Sequence, residues 1–336
     1  MKQITIADIA REAGVSKATV SRVLSKPQMV SGKTTETVLS VIQKYSFSPD
    51  IFAQGLAGIP TKNIGVIVDK FSNYFYIDLA DGIDSVISAN NYSFQVISSQ
   101  WLPERELQGI RSMIKSRVDG ILISPILPDS EAVTLLKHSG IPFVLMNCVS
   151  DDPEVSYIGC NNYQGGALLA EHFNTLGLEQ TIIVSVFDHQ TVRDRIEGFA
   201  DHQNTQMSRI IRYSNARTYE DGYTMAAMIA ESNDIRTKKT GLFVANDYVA
   251  IGVVIGLLEM GIAIPRQAAV AGFDDISLSA LCRVPLTTVS QSASGMGRIA
   301  AETLMGIIKG TAEGPFRQII EPRLVVREST YEHHPF

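Results

Sequence analysis

The chain has 336 residues, 45% of them apolar, which exceeds one typical domain and suffices for two or three folding units with a substantial core. No run of about 18 uninterrupted apolar residues and no basic, apolar, small-residue leader occurs, so a cytoplasmic protein without a membrane partner is expected. The net charge of -6 is unevenly spread: residues 1–62 carry eight Lys or Arg against four Asp or Glu, and the remainder 21 against 31, so only the first segment suits a polyanion.

Thr5-Ile6-Ala7-Asp8 predicts a helix start, with Thr5 as cap, Asp8 in the first turn and Ile6, Ile9, Ala10 and Ala13 as one apolar stripe. Gly14 ends that helix and Val15 fills the corner. Ser16 caps a second helix whose Val20, Val23 and Leu24 turn inward while Lys17, Ala18, Ser21 and Arg22 point out, the arrangement of a recognition helix in a major groove. Pro27 closes it, and Ser31 caps a third helix carrying Val38, Val41, Ile42 and Tyr45. The geometry alone also allows a three-helix bundle with no nucleic-acid role.

The run from Ile6 to Leu24, with Phe47-Ser48-Pro49-Asp50 and Ala53-Gln54-Gly55-Leu56-Ala57, resembles the lactose/galactose repressor family of transcription regulators. The resemblance implies double-stranded operator DNA as partner. Lys17, Ala18 and Arg22 would face base edges, Arg22 able to make a bidentate contact with guanine. Thr5, Ser16, Thr19, Ser21, Ser31 and Thr34 would bind phosphates and set register. Residues 50–58 match the family's hinge helix, which orders only on operator, and Leu56 would wedge into a minor-groove base step; the alternative for Leu56 is a core position under the linker. Two residues depart from the pattern: Asp50 stands where the family usually has Asn, and Gly55 costs about 1 kcal/mol of helix stability relative to alanine.

Beyond Pro60, apolar runs of strand length alternate with longer helical patterns: residues 64–68, 94–97, 120–123, 143–146, 182–186, 241–244 and 269–272. Two doubly wound parallel sheets of about 130 residues each account for the length. Ligands in such sheets bind off the carboxyl ends of strands, where this chain places Asp69, Asn73, Phe75, Tyr76, Ser124, Asn147, the stretch from Asp188 to Arg195, Asn246-Asp247, Phe273-Asp274-Asp275 and Gln291. Amides, carboxylates, an arginine and aromatic faces suit a polyhydroxylated molecule.

The runs 118–123, 244–252, 271–275 and 285–289 resemble the same family's effector-domain signatures, so the similarity covers about residues 3–329. It implies a helix-turn-helix domain over 1–48, a hinge and linker over 49–61, and a two-lobed periplasmic-binding-protein-like domain over 62–330, with lobes of about 62–160 plus 292–318 and 161–291 plus 319–330. By that mapping Arg195, Asn246 and Asp274 grip effector hydroxyls, Asn73, Phe75 and Ser124 shape specificity, and Gln291 lies at the inter-lobe crossing; Asn147, after the fourth strand, is a further effector-binding candidate. Asp247 is an alternative helix cap. Arg217 falls where relatives place a stacking aromatic; with Arg195 it would favour a sugar acid or sugar phosphate, the alternatives being that Arg217 faces solvent or that Tyr219 fills the role.

Tetramers of the family that the chain resembles use a tail of leucine heptads, and none follows Thr330, so the resemblance implies a homodimer on a palindromic operator. His333 and His334 are too few ligands for a metal, and Cys148, Cys160 and Cys282 are spaced for neither disulfides nor zinc, so no metal or other cofactor is expected. Motifs of hydrolase nucleophile elbows, zinc proteases, P-loops and dinucleotide-binding turns do not occur, and His138, His172, His189 and His202 have no evident nucleophile, so neither an enzyme nor catalytic residues are expected. The expected output is repression of sugar-utilisation genes relieved by a sugar or sugar derivative; the alternative is a sugar-binding module without specific DNA activity.

Overall fold

The computed structural model describes residues 4–25, 27–45, 60–185, 189–204, 211–213, 216–232, 234–312 and 314–331. Helix α1 (Ile6–Glu12) starts where the Asp8 carboxylate accepts hydrogen bonds from the Thr5 backbone N–H (3.1 Å) and hydroxyl (2.6 Å), and it ends at Gly14, whose φ of +66° suits a residue without a Cβ. Helices α2 (Lys17–Ser25) and α3 (Gly32–Lys44) follow, the latter capped by the Ser31 side chain. Ile9, Ala10, Val20, Val23, Val38 and Val41 close a small core, each fully buried Ile or Val stabilising it by about 1.5–3 kcal/mol. Tyr45, expected on the apolar face of α3, is instead exposed and hydrogen-bonds Glu12 through its hydroxyl, which has no polar partner inside that core.

The body contains two parallel sheets. The first has the order β11-β5-β4-β3-β1-β2, formed by β1 (Asn63–Val68), β2 (Ser93–Ser98), β3 (Gly120–Ile123), β4 (Phe143–Met146), β5 (Tyr157–Cys160) and β11 (Arg317–Ile320). The alternation along β1 shows why its sequence is apolar throughout. Val66 and Val68 pack with α4 (Phe75–Ile87) and α11 (Ala293–Ile308), whereas Ile67 packs with α5 (Pro103–Lys115) and α6 (Glu131–Ser139).

The second sheet, β7-β6-β8-β9, comprises β6 (Gln180–Val184), β7 (Ile211–Tyr213), β8 (Thr240–Val244) and β9 (Ala268–Ala271). It carries α7 (Asn162–Asn174), α8 (Gln190–His202), α9 (Tyr219–Ser232) and α10 (Asp247–Glu259). A short antiparallel ribbon, β10 (Thr288–Ser290) with β12 (Arg323–Val325), lies beside β9 through the Ala271–Thr287 bridge. The chain therefore passes between lobes after Cys160, Ser290 and Ile320, since β11 pairs with β5 through Ile320. Helices α7 and α8 cross closely: a Cβ on Gly198 would stand 1.9 Å from the Tyr163 carbonyl oxygen, and one on Gly166 2.0 Å from that of Arg195. That contact fixes the height of Arg195 above the sheet.

Candidate functional sites

Two places concentrate chemistry. On the helical module, Lys17, Ala18 and Arg22 are exposed on one face of α2, opposite buried Val20 and Val23. Ser16 accepts the Thr19 backbone N–H (3.1 Å), and its hydroxyl lies 2.9 Å from that of Thr19. Ser31 and Thr34 repeat this pairing at α3, with 3.3 and 2.8 Å. These hydroxyls organise helix N-termini, whose free N–H groups attract anions. Thr5 is engaged with Asp8. Ser21 is half-buried on α2. Asp50, Gly55 and Leu56 lie outside the described residues, as do Asp188, His333 and His334.

The second site is a solvent-open cleft between the two lobes, with about 480 Å³ of empty space counting the open solvent in its mouth, lined by residues from the carboxyl ends of strands in both sheets. Its second-lobe wall is an ion-pair network. Arg195, on α8, donates from Nε to Asn162 Oδ1 (2.8 Å) and from Nη1 to the Ala245 carbonyl (2.7 Å) and Asp274 Oδ1 (3.2 Å), with its guanidinium 3.9 Å above the Phe273 ring. Gln291, at the inter-lobe crossing, donates to the same Asp274 oxygen (2.7 Å). Burial still pushes the Asp274 carboxyl up to about 7, because removal from water outweighs its neighbours Arg195 and Gln291. Asn246 lines the cleft while its Oδ1 caps α10 by accepting from Val249 N (2.9 Å).

The first-lobe wall is a hydroxyl and carboxylate network. Burial raises the Tyr76 hydroxyl well above its usual range; that hydroxyl lies 3.1 Å from Ser124 Oγ, accepts from Asn147 and donates to Asp69. Desolvation pushes Asp69 up to about 7. Asn147 adopts φ +55° and its Oδ1 has no hydrogen-bond partner. Asn73 caps the turn into α4 by accepting from Phe75 N (3.1 Å), and Phe75 packs into the core with its edge against Tyr76.

The cleft thus brings together Asn73, Phe75, Ser124, Asn147, Arg195, Asn246 and Asp274, as expected from positions after strands. Arg217 is not among them: it is exposed at the start of α9, where its backbone N–H is held by Asp221 (2.8 Å), so the cleft has one guanidinium and the expectation of an acid or phosphate loses its basis. Asp247 does not cap α10; it is wholly buried and accepts from Ser279 Oγ (2.6 Å), Thr288 Oγ1 (2.6 Å) and Ile276 N (3.1 Å), pinning the loop that carries Asp274. Trp101, which lines the cleft, and Asn162, which accepts from Arg195, are not among the positions expected from the sequence. Both follow strands, Trp101, the sole tryptophan, three residues after β2 and Asn162 two residues after β5, so the same strand-end rule applied evenly would have found them.

Contacts between the lobes flank the cleft. His189 donates from Nε2 to the Ile126 carbonyl (3.0 Å), and its ring meets Trp101 edge-on. Burial lowers the His189 pKa, which keeps the neutral ring that this geometry uses. On the other side Ser277 donates from N (3.1 Å) and Oγ (2.6 Å) to Asp78 on α4. Among the described residues no group of three His, Cys, Asp or Glu could hold a metal, and no helix is long and apolar enough to cross a membrane. Cys148 and Cys160 are buried, with thiols pushed up by desolvation, the latter to about 12.

Comparison with known proteins bears on both sites. Residues 5–50 match the family described as bacterial regulatory proteins, lacI family, and residues 170–330 match a periplasmic binding protein-like domain. The HTH-type transcriptional repressor PurR of Haemophilus influenzae (strain PittEE) is 31% identical over 333 residues, covering 97% of this chain and 98% of the relative. A lac repressor dimer bound to operator and the anti-inducer ONPF superposes with a TM-score of 0.83 at 25% identity, over 98% of this chain and all of that one. A LacI family transcriptional regulator from Enterococcus faecalis V583 with bound ribose gives 0.70 at 26% identity, over 80% and 98%. These relatives are transcriptional regulators rather than enzymes. The chain belongs to the lacI family of bacterial regulatory proteins and is a DNA-binding transcriptional repressor of that family.

Proposed function

We propose that this lacI-family chain is a cytoplasmic homodimeric repressor of sugar-utilisation genes, binding a palindromic operator and releasing it when a small polyhydroxylated effector enters the cleft. The observation that carries the effector half is the cleft itself: carboxylates, amides, hydroxyls and one arginine converge from both lobes on a single cleft, with Phe75 and Trp101 as apolar cover. A relative with ribose bound and another bound to operator support the two halves.

On DNA, Lys17, Ala18 and Arg22 read bases, and the N-termini of α2 and α3, with Thr5, Ser16, Thr19, Ser21, Ser31 and Thr34, set register on phosphates. Residues 1–48 form the reading module and 49–61 the hinge, with Leu56 as the apolar wedge. The effector acts by its differential affinity for two arrangements of the lobes, whose populations decide whether both hinges of the dimer engage one operator.

The test is selection of bound sequences from random duplex DNA by the full chain, repeated with a panel of sugars. A palindrome whose enrichment one sugar abolishes supports the proposal. Enrichment of no sequence by a folded dimer overturns it in favour of a sugar-binding module, and a palindrome that no compound affects overturns the effector half.

A further inference from the structure

We infer that the effector of this cleft is an amino sugar, its protonated amine held by Asp69 of the first lobe opposite Asp274 of the second. The inference rests on the effector-binding reading above and goes beyond it in ligand chemistry.

Charge is the first argument. The lining residues include two carboxylates, Asp69 and Asp274, and one guanidinium, Arg195. Arg195 is committed to Asp274, with side-chain exposures of 5% and 6%, which leaves Asp69, among the described lining residues, as the carboxylate with no cationic side chain in the cleft. An anionic ligand would add to that excess, a neutral one leaves it, and a cation cancels it. Charged and titratable groups near Asp69 are Lys70, Tyr76 and Asp274; Lys70, half-buried, does not line the cleft. Tyr76 supplies a hydroxyl and no charge. Asp274 repels Asp69 across the cleft, and burial raises both carboxyls to about 7, so each gains from a cation placed between them.

The count of donors and acceptors is the second argument. The donors at Nε and Nη1 of Arg195 are spent on protein acceptors, and the Ser124 hydroxyl and the Asn147 amide are turned to Tyr76. Two buried acceptors have no partner, Asn147 Oδ1 and, on the fully buried side chain that holds Asp274, Gln291 Oε1, while the Asp69 carboxylate accepts only from its own lobe, from Lys70 N and Tyr76. A buried acceptor without a donor is costly, and an ammonium group brings three donors with no acceptor.

The test is calorimetric titration of the full chain at pH 7 with matched pairs: glucose and glucosamine, galactose and galactosamine, mannose and mannosamine, with gluconate as the anionic control. At least one amino sugar is expected to bind ten-fold or more tightly than its neutral partner, and gluconate not to bind. In Asp69→Asn, the ratio within that pair is expected to fall towards one, with thermal unfolding confirming that the variant is folded. Equal or tighter binding of the neutral partners overturns the inference, as does failure of all amino sugars to bind. A ratio unchanged in a folded Asp69→Asn variant overturns the assignment to Asp69. The DNA selection above is scored independently, so a neutral sugar that shifts operator binding sinks the amine and leaves the regulator standing.

Discussion

The DNA-reading module and the cleft hold their chemistry in opposite ways. In the module, Lys17, Ala18 and Arg22 are exposed on a helix supported from behind by six small apolar side chains, so chemistry and stability occupy separate faces. In the cleft, Asp69, Arg195 and Asp274 are no more than 5% exposed, and the groups that would meet a ligand also hold the lobes in shape. Substitution in the module should therefore change binding without changing folding. In the cleft the two should change together.

Arg195→Ala offers the largest effect and the sharpest check of that contrast. It leaves the Asp274 carboxyl buried without its partner and strips donors from Asn162 and the Ala245 carbonyl, a loss of about 3–5 kcal/mol for a broken buried pair. Denaturant unfolding should show this loss along with abolished effector binding; unchanged stability would mean that the cleft, like the module, keeps the two roles apart.

The next effect is one of pH. Burial pushes the Asp69 carboxyl up to about 7 from its ordinary value of 3.8, so the folded chain holds an extra proton between those values and stability falls as pH rises from about 4 to 7. Asp274 acts in the same direction. In Asp69→Asn the dependence should flatten, with a gain over the parent of up to about 4 kcal/mol above pH 7 that vanishes near pH 4. Parallel stability curves for parent and variant would count against a buried, uncompensated Asp69.

On the module, Arg22→Ala is expected to weaken binding to the selected operator by about 1–3 kcal/mol and relax specificity at one base pair, with no change in unfolding. Smallest is Ser31→Ala, which removes the α3 cap and costs about 1 kcal/mol of module stability, visible in faster amide exchange within α3. A base-reading residue that destabilised the module, or a cap that did not, would blur the separation.

Much of the module was legible before any coordinates, because its code is local. Gly14 after a 3.6-residue apolar stripe and Ser16 and Ser31 before the next ones specify three helices within one turn of chain each. Tyr45 was misplaced because a hydroxyl 33 residues away from its partner Glu12 leaves no mark on periodicity. The strand ends of the body were legible for the same local reason, and with them most of the described cleft residues.

Sign and partnership were not. From sequence, Arg195 and Arg217 offered a cationic pocket with a solvent-facing Arg217 as the alternative; in the fold Arg217 is exposed, Arg195 is neutralised by a residue 79 positions away, and Asp69 turns the balance of the described lining acidic. Asp247 read as a cap and proved to be a buried post for the loop bearing Asp274. The sequence by itself determined the helices, the parallel strands, the lacI-family resemblance and where a site would lie, because periodicity, caps and strand ends act over a few residues. Only the tertiary structure decided which charges share the cleft and which remain uncompensated, because burial and pairing depend on groups that the chain brings together across two lobes.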